Sequence, residues 1–246
     1  MNVRQLIKKY QAGERDFRGV DLSGSNLYSV NLSGSNLYRA IFKSARLQDV
    51  DLRNCNLTEA NFNGANLSGA NLSGCNANWV QMTGATLNGV IFKQANMAEA
   101  QLSKAKLFEA DFSEAILSWA NLSWAKLYEA QLSWTNLIGA NLGRARLIAA
   151  DLSEANLTEA NLEYTDLSHA DLREATIHFA NLSNATLRQT NLSGADLRET
   201  NLTDADLTTA KLNWVNLTAA IVTQEQLAQA KSLEGIILPD GSTYES

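Results

Sequence analysis

The sequence predicts an all-β solenoid, a tube formed by a chain that turns a corner every five residues. Three observations carry this expectation. An apolar residue recurs at every fifth position, in unbroken phase, from Phe17 to Leu217, and it is Leu or Phe except at Ala77, Met82, Met97 and Ile177. Two residues before each of these sits a small or β-branched residue, usually Ala, so that the unit reads A-N-L-S-x. A five-residue spacing drifts by about 140° per unit around an α-helix and would smear the leucines over its whole circumference. In an extended segment, by contrast, residues two apart share a face. Ala and Leu therefore point inward together and the Asn or Asp between them points out. The two remaining residues, rich in Ser, Thr, Gly, Arg and Glu, make the corner.

Residues 1–14 read as an N-terminal helical cap. Asn2, with Gln5 three residues later, opens a short helix carrying Val3, Leu6 and Ile7, and Gly13 stops it. Residues 15–222 are the repeat. Residues 223–246 read as a C-terminal helical cap and tail, with Thr223 and Gln226 repeating the start signal. Leu227 and Ala230 then cover the last coil, and Ile236, Ile237 and Leu238 follow before Pro239. A stacked solenoid exposes an apolar end and unpaired backbone at each terminus, which caps are expected to cover.

The A(N/D)LXX units, for instance ANLSG at 65–69 and 70–74, resemble the pentapeptide-repeat proteins, a family abundant in cyanobacteria. The resemblance covers about four fifths of the chain. It implies a right-handed quadrilateral parallel β-helix with 20 residues per coil, hence about ten coils in a rod ~50 Å long. It also makes the terminal elements candidate dimer interfaces, so that the chain is expected to be a monomer or a dimer through a terminal cap. Phe42 and Phe62, Phe92 and Phe112, and Cys55 and Cys75 lie 20 apart and would stack in successive coils.

Composition excludes several classes. One proline in 246 residues removes Pro-rich linkers and polyproline segments. Apolar residues at 45% suffice for a core, and 19% charged residues with net charge −6 argue against disorder and against a globally basic nucleic-acid binder. No run of 18 apolar residues is present to cross a bilayer, and the first residues lack a secretory pattern, so a cytoplasmic location is expected. Cys55 and Cys75 are too few for a disulfide framework or a Cys-based zinc site, and they read as reduced core residues.

No enzyme is expected, because the repeat forms a convex rod without long loops and the inventory for chemistry is poor. His169 and His178 sit at outward corners on different sides. Asp151 with Asp171, and Glu154 with Glu174, would lie one coil apart but come without a calcium loop, so they read as solvated acids. The Asn column that includes Asn36, Asn56, Asn76 and Asn96 reads as a structural amide ladder. No catalytic site, cofactor or metal is assigned.

Charge is uneven along the rod. Residues 1–50 hold eight Lys or Arg against four Asp or Glu, and residues 151–210 hold three against eleven. With 20 residues per coil, one side of three successive coils reads Lys104, Lys106, Phe108; then Trp124, Lys126, Tyr128; then Arg144, Arg146, Ile148. All five tryptophans, at 79, 119, 124, 134 and 214, fall at the second corner position, which is predicted to face solvent. Contiguous exposed apolar and cationic residues mark a contact surface. The expected function is thus a non-enzymatic scaffold or protein-interaction module that binds a protein partner on this basic aromatic face. A purely structural reading of the same residues has Lys104 and Arg144 stacking on Trp124, with Glu109 and Glu129 neutralising the remaining charge. The resemblance also implies an alternative, a DNA mimic that occupies the DNA-binding surface of gyrase or another DNA-binding protein. Mimicry needs a dense negative surface along most of the rod, which the basic N-terminal coils do not supply.

Overall fold

The computed structural model describes residues 1–244; Glu245 and Ser246, the end of the expected C-terminal tail, lie outside the described residues. Each outward residue is bridged in parallel to the residue twenty positions on, from Asp16 with Asn36 through Asn36 with Asn56 to Asn201 with Ile221. One circuit therefore takes four five-residue units. The register is the one that stacks Phe42 on Phe62 and Phe92 on Phe112, with ring centroids 4.8 and 4.9 Å apart.

The unit at 121–125 shows why five residues suffice. Asn121 N–H donates to Ala100 O (2.9 Å) in the preceding coil, and Leu122 N–H to Asn141 O (2.7 Å) in the next. Ser123 N–H donates to the Asn121 side chain (3.1 Å), Trp124 N–H to Gly143 O (3.1 Å), and Ala125 N–H closes the turn on Leu122 O (3.0 Å). Every donor is satisfied without a long strand. The third N–H of a unit depends on the side chain two residues earlier, and this is the physical reason Asn and Asp fill the outward position. The ladder expected for Asn36, Asn56, Asn76 and Asn96 is only partial. Asn56 donates to Asn36 (3.1 Å), while Asn76 and Asn96 accept the N–H of Asn78 and Ala98 in their own corners.

The second corner residue takes the left-handed region throughout, for instance Trp124 at φ +61° and Gly139 at +64°. An L-residue is disfavoured there by roughly 1–2 kcal/mol. Glycines accordingly gather at this position: from Gly19 to Gly194, all but Gly143 occupy it.

Leu or its substitutes fill the axis, and the small residues line it. Leu107, Leu127 and Leu147 are fully buried, as are Ala105 and Ala125. Thr135 and Thr165 occupy the small slot by donating to Phe112 O (2.9 Å) and Leu142 O (3.0 Å). Cys55 and Cys75 are free and buried in the same slot, where burial pushes their thiols up to about 11 and about 12.

Helix α1 (Val3–Gln11) starts with the Asn2–Gln5 capping box and buries Leu6 in the core. The Tyr10 hydroxyl ties it to the repeat through Ser33 O (3.0 Å), and the Arg15 guanidinium lies 3.8 Å over the Tyr10 ring. Helix α2 (Gln224–Leu227) begins with the Thr223–Gln226 capping box and buries Leu227. The segment after it corrects the expected helical cap and tail. Ser232 and Ile237 re-enter the ladder against Lys211 and Asn216, with Leu212 N–H on Ser232 O (3.0 Å) and Leu217 N–H on Ile237 O (2.8 Å). The register there is twenty-one, because the α2 loop inserts one residue; SLEGI and ILPDG are repeat units displaced by that residue.

Candidate functional site

The bridges place Lys106, Lys126 and Arg146 in one vertical column. Second-corner residues Lys104, Trp124 and Arg144 flank it on one side, and first-corner residues Phe108, Tyr128 and Ile148 on the other. The flanks are ordered. Phe108 and Tyr128 stack with centroids 5.0 Å apart and planes 5° from parallel. The Arg144 guanidinium lies 5.1 Å from the Trp124 ring and 4.5 Å from the Tyr164 ring, a cation between two aromatic faces. Arg146 donates from Nη1 to the Tyr128 hydroxyl oxygen (2.9 Å). That bond, together with the nearby Asp166 carboxylate, raises the Arg146 pKa further and keeps it cationic. Trp124, Lys126, Arg144, Arg146, Tyr164 and Asp166 line an open cleft of about 410 Å³.

Of the structural reading, the Arg144 stack is present. Lys104 makes no cation–π contact, and no ion pair involves Lys104, Lys106, Lys126, Arg144, Arg146, Glu109 or Glu129 among the described residues. Like charges at neighbouring strand positions are destabilising. Lys106, Lys126 and Arg146 carry a second penalty, because each stands where Asn or Asp would accept the third N–H of the unit. The N–H groups of Phe108, Tyr128 and Ile148 have no protein acceptor among the described residues. Ile91 and Gln131 break the same local rule singly, Gln81 and Gln101 at adjacent levels of another side, and Thr86 just before Lys106; on this face three cations do so in succession.

Tyr164 and Asp166 were missed by sequence reasoning. They lie twenty residues beyond Arg144 and Arg146, and extending the two columns by one coil finds them.

The remaining candidates do not converge. His169 is exposed beside Gln189, Thr209, Lys211 and Lys231, while His178 stacks on Phe179 (3.9 Å) and lies 3.5 Å from Glu199 Oε1. Asp151 and Asp171 are ladder neighbours, but Asp171 is engaged by Arg173 at 2.6 Å. No group of three or more His, Cys, Asp or Glu able to hold a metal ion occurs among the described residues. All five tryptophans are exposed, from 48% at Trp79 to 63% at Trp214. Trp119 and Trp214 lie over Gly139 and Gly235, where a Cβ would run into the indole. No helix of the described residues is long and apolar enough to cross a membrane.

A rod of five-residue units with columns of outward side chains defines a class of repeat protein. The chain belongs to the pentapeptide-repeat family: the family described as Pentapeptide repeats matches residues 15–43, 115–153, 150–189 and 185–224, and that described as Pentapeptide repeat region matches 45–122. Among solved structures it is similar to HetL, a pentapeptide repeat protein involved in heterocyst differentiation regulation from the cyanobacterium Nostoc sp. strain PCC 7120. The identity is 31% over 99% of this chain and 100% of that one, with a TM-score of 0.43. It is similar to alr5209, a pentapeptide repeat protein from Nostoc PCC 7120, at 34% identity over 47% of this chain and 80% of that one, TM-score 0.27. It is also similar to QnrB1, a plasmid-mediated fluoroquinolone resistance protein, at 19% identity over 86% of this chain and 93% of that one, TM-score 0.42. No curated protein matches the chain.

Proposed function

We propose that the protein is a non-enzymatic scaffold, a right-handed rod of about ten coils that docks a protein partner on the face built by Lys104, Lys106, Phe108, Trp124, Lys126, Tyr128, Arg144, Arg146 and Ile148. The observation that carries this reading is the column Lys106–Lys126–Arg146, which is unpaired by acids and placed where the fold prefers Asn or Asp. A chain that breaks its own local rule at adjacent positions, against like-charge repulsion, retains those residues for something outside the fold. The two arginines are pre-oriented by aromatic contacts, so less side-chain freedom is lost when a partner binds. The same column counts against a DNA mimic, since cations stand at the centre of the rod where phosphates would have to be imitated.

The test is capture of partners by the full chain and by a variant carrying Trp124→Ala and Lys126→Ala. Both side chains are exposed, so thermal unfolding is expected to change little. Capture is expected to weaken by about thirtyfold, as for loss of an aromatic anchor and a charge at one contact. An unchanged set of partners at unchanged affinity would remove the assignment of this face.

A further inference from the structure

We infer that the occupant of this face is a second copy of the chain, docked antiparallel about a two-fold axis that lies between the levels of Arg146 and Asp166. The inference rests on the reading of the face as a docking surface and adds the identity of what docks. The column that runs Asn26, Arg46, Asn66, Thr86, Lys106, Lys126, Arg146 continues through the ladder as Asp166, Thr186 and Asp206. The half from Lys104 to Ile148 is therefore cationic, and the other half holds Asp166, Asp204 and Asp206 together with one cation, Arg188, which pairs with Asp206. The outward column Asn121, Asn141, Asn161, Asn181 and Asn201 of another side shows no such division.

A two-fold axis in the contact plane, perpendicular to the rods, keeps every column opposite itself and reverses its direction. With the axis between Arg146 and Asp166, the central column sets Arg146 against Asp166 of the second copy and Lys106 against Asp206, which Arg188 of its own chain already engages, with Lys126 on Thr186. The second-corner column sets Lys104 against Asp204 and Arg144 against Tyr164, with Trp124 on Asn184. The first-corner column brings Tyr128 over Arg188 and leaves Phe108 and Ile148 on Thr208 and Ser168. No like charges meet. Charge narrows the register: an axis at the level of Arg146 or Asp166 sets that residue against its own copy, an axis one level toward the N-terminus sets Lys126 on Arg146, and an axis one level toward the C-terminus pairs Arg144 with Asp204 and Arg146 with Asp206 but puts Lys104 and Lys106 beyond the last acids of their columns. Each column is thus complementary to its own reverse, as an isologous contact requires.

Lys104 and Asp204 provide the test. Both are exposed, neither is ion-paired among the described residues, and they stand five levels apart in the same rod, ~24 Å at strand spacing, too far to pair within one chain. Sedimentation equilibrium of the full chain is expected to show a monomer–dimer equilibrium. Lys104→Asp and Asp204→Lys are each expected to weaken dimerisation by about tenfold, since every reversal acts twice in a two-fold contact. Combining both in one chain is expected to restore the dissociation constant to within about threefold. A chain that stays monomeric up to about 1 mM overturns the inference, as does a dimer indifferent to both reversals or a double variant no better than the singles. The capture experiment with Trp124→Ala and Lys126→Ala is read separately. A monomeric chain whose capture of another protein still depends on those residues overturns self-docking and leaves the docking face standing; capture indifferent to them removes the face itself.

Discussion

Leu127→Ala is expected to lower the unfolding free energy by about 3 kcal/mol, and Leu127→Asp to leave the central coils unfolded under native conditions. Leu127 is fully buried on the axis, directly beneath Lys126 and Tyr128, and its N–H donates to Arg146 O at 2.7 Å. Truncation leaves a void among leucines of the coils above and below, whose backbones are held by the ladder and collapse little. An aspartate there has no donor within the axis and would be buried as a charge or as an unpaired acid. In a solenoid each coil contacts only its neighbours, so the loss is felt first at the levels of Lys106 and Arg146, where the docking face is assembled. Urea unfolding followed by circular dichroism measures it. A loss below about 1 kcal/mol for Leu127→Ala would mean that the axis is not packed as described.

Removing residues 1–14 is expected to convert the chain into larger, concentration-dependent species. Helix α1 covers the N-terminal end of the apolar axis with Leu6, which is fully buried, and Val3 and Tyr10 pack beside it. Without α1 the first coil presents that axis and the backbone edge of its units to any other exposed end, and stacking end on end extends the ladder between molecules. Light scattering after size exclusion is the measurement. Larger species in the truncated chain, absent from the full chain at equal concentration, are expected; an unchanged mass distribution would show that α1 is dispensable as a cap.

Much of this architecture was legible in the sequence, for physical reasons that also mark where legibility ends. The phase of Leu from Phe17 to Leu217 excludes a helix by geometry alone, and the spacing of Phe42 and Phe62 points to the stacking that the rings adopt. The role of Asn121 was less accessible. Its amide serves the N–H of Ser123 within the same corner, and a pattern seen as one column does not separate a ladder between coils from a bond within each. The left-handed second corner was foreshadowed by the glycines gathered there, although Trp124 and Arg144 adopt it too. The C-terminal units escaped because the α2 loop shifts Leu233 and Leu238 by one residue, and a strict period of five steps over them. At the candidate face the nine residues were found by counting twenty along the chain. The sandwich of Arg144 between Trp124 and Tyr164 was not, since rotamer choices bring the guanidinium to the rings.

The columns exist only if outward residues twenty apart are vertical neighbours, and disulfide formation between introduced cysteines probes that neighbourhood. Parallel neighbours at ~4.8 Å fall within the Cα separation a disulfide accepts. Cys55 and Cys75, buried and with raised pKa values, are poor competitors. A chain carrying Lys106→Cys and Lys126→Cys is expected to form an intrachain disulfide under mild oxidation, and one carrying Lys106→Cys and Ile116→Cys, half a circuit apart, is expected to form none. Failure of the first pair to close, or closure of the second within a monomer, would contradict the twenty-residue circuit and with it the column of Lys106, Lys126 and Arg146.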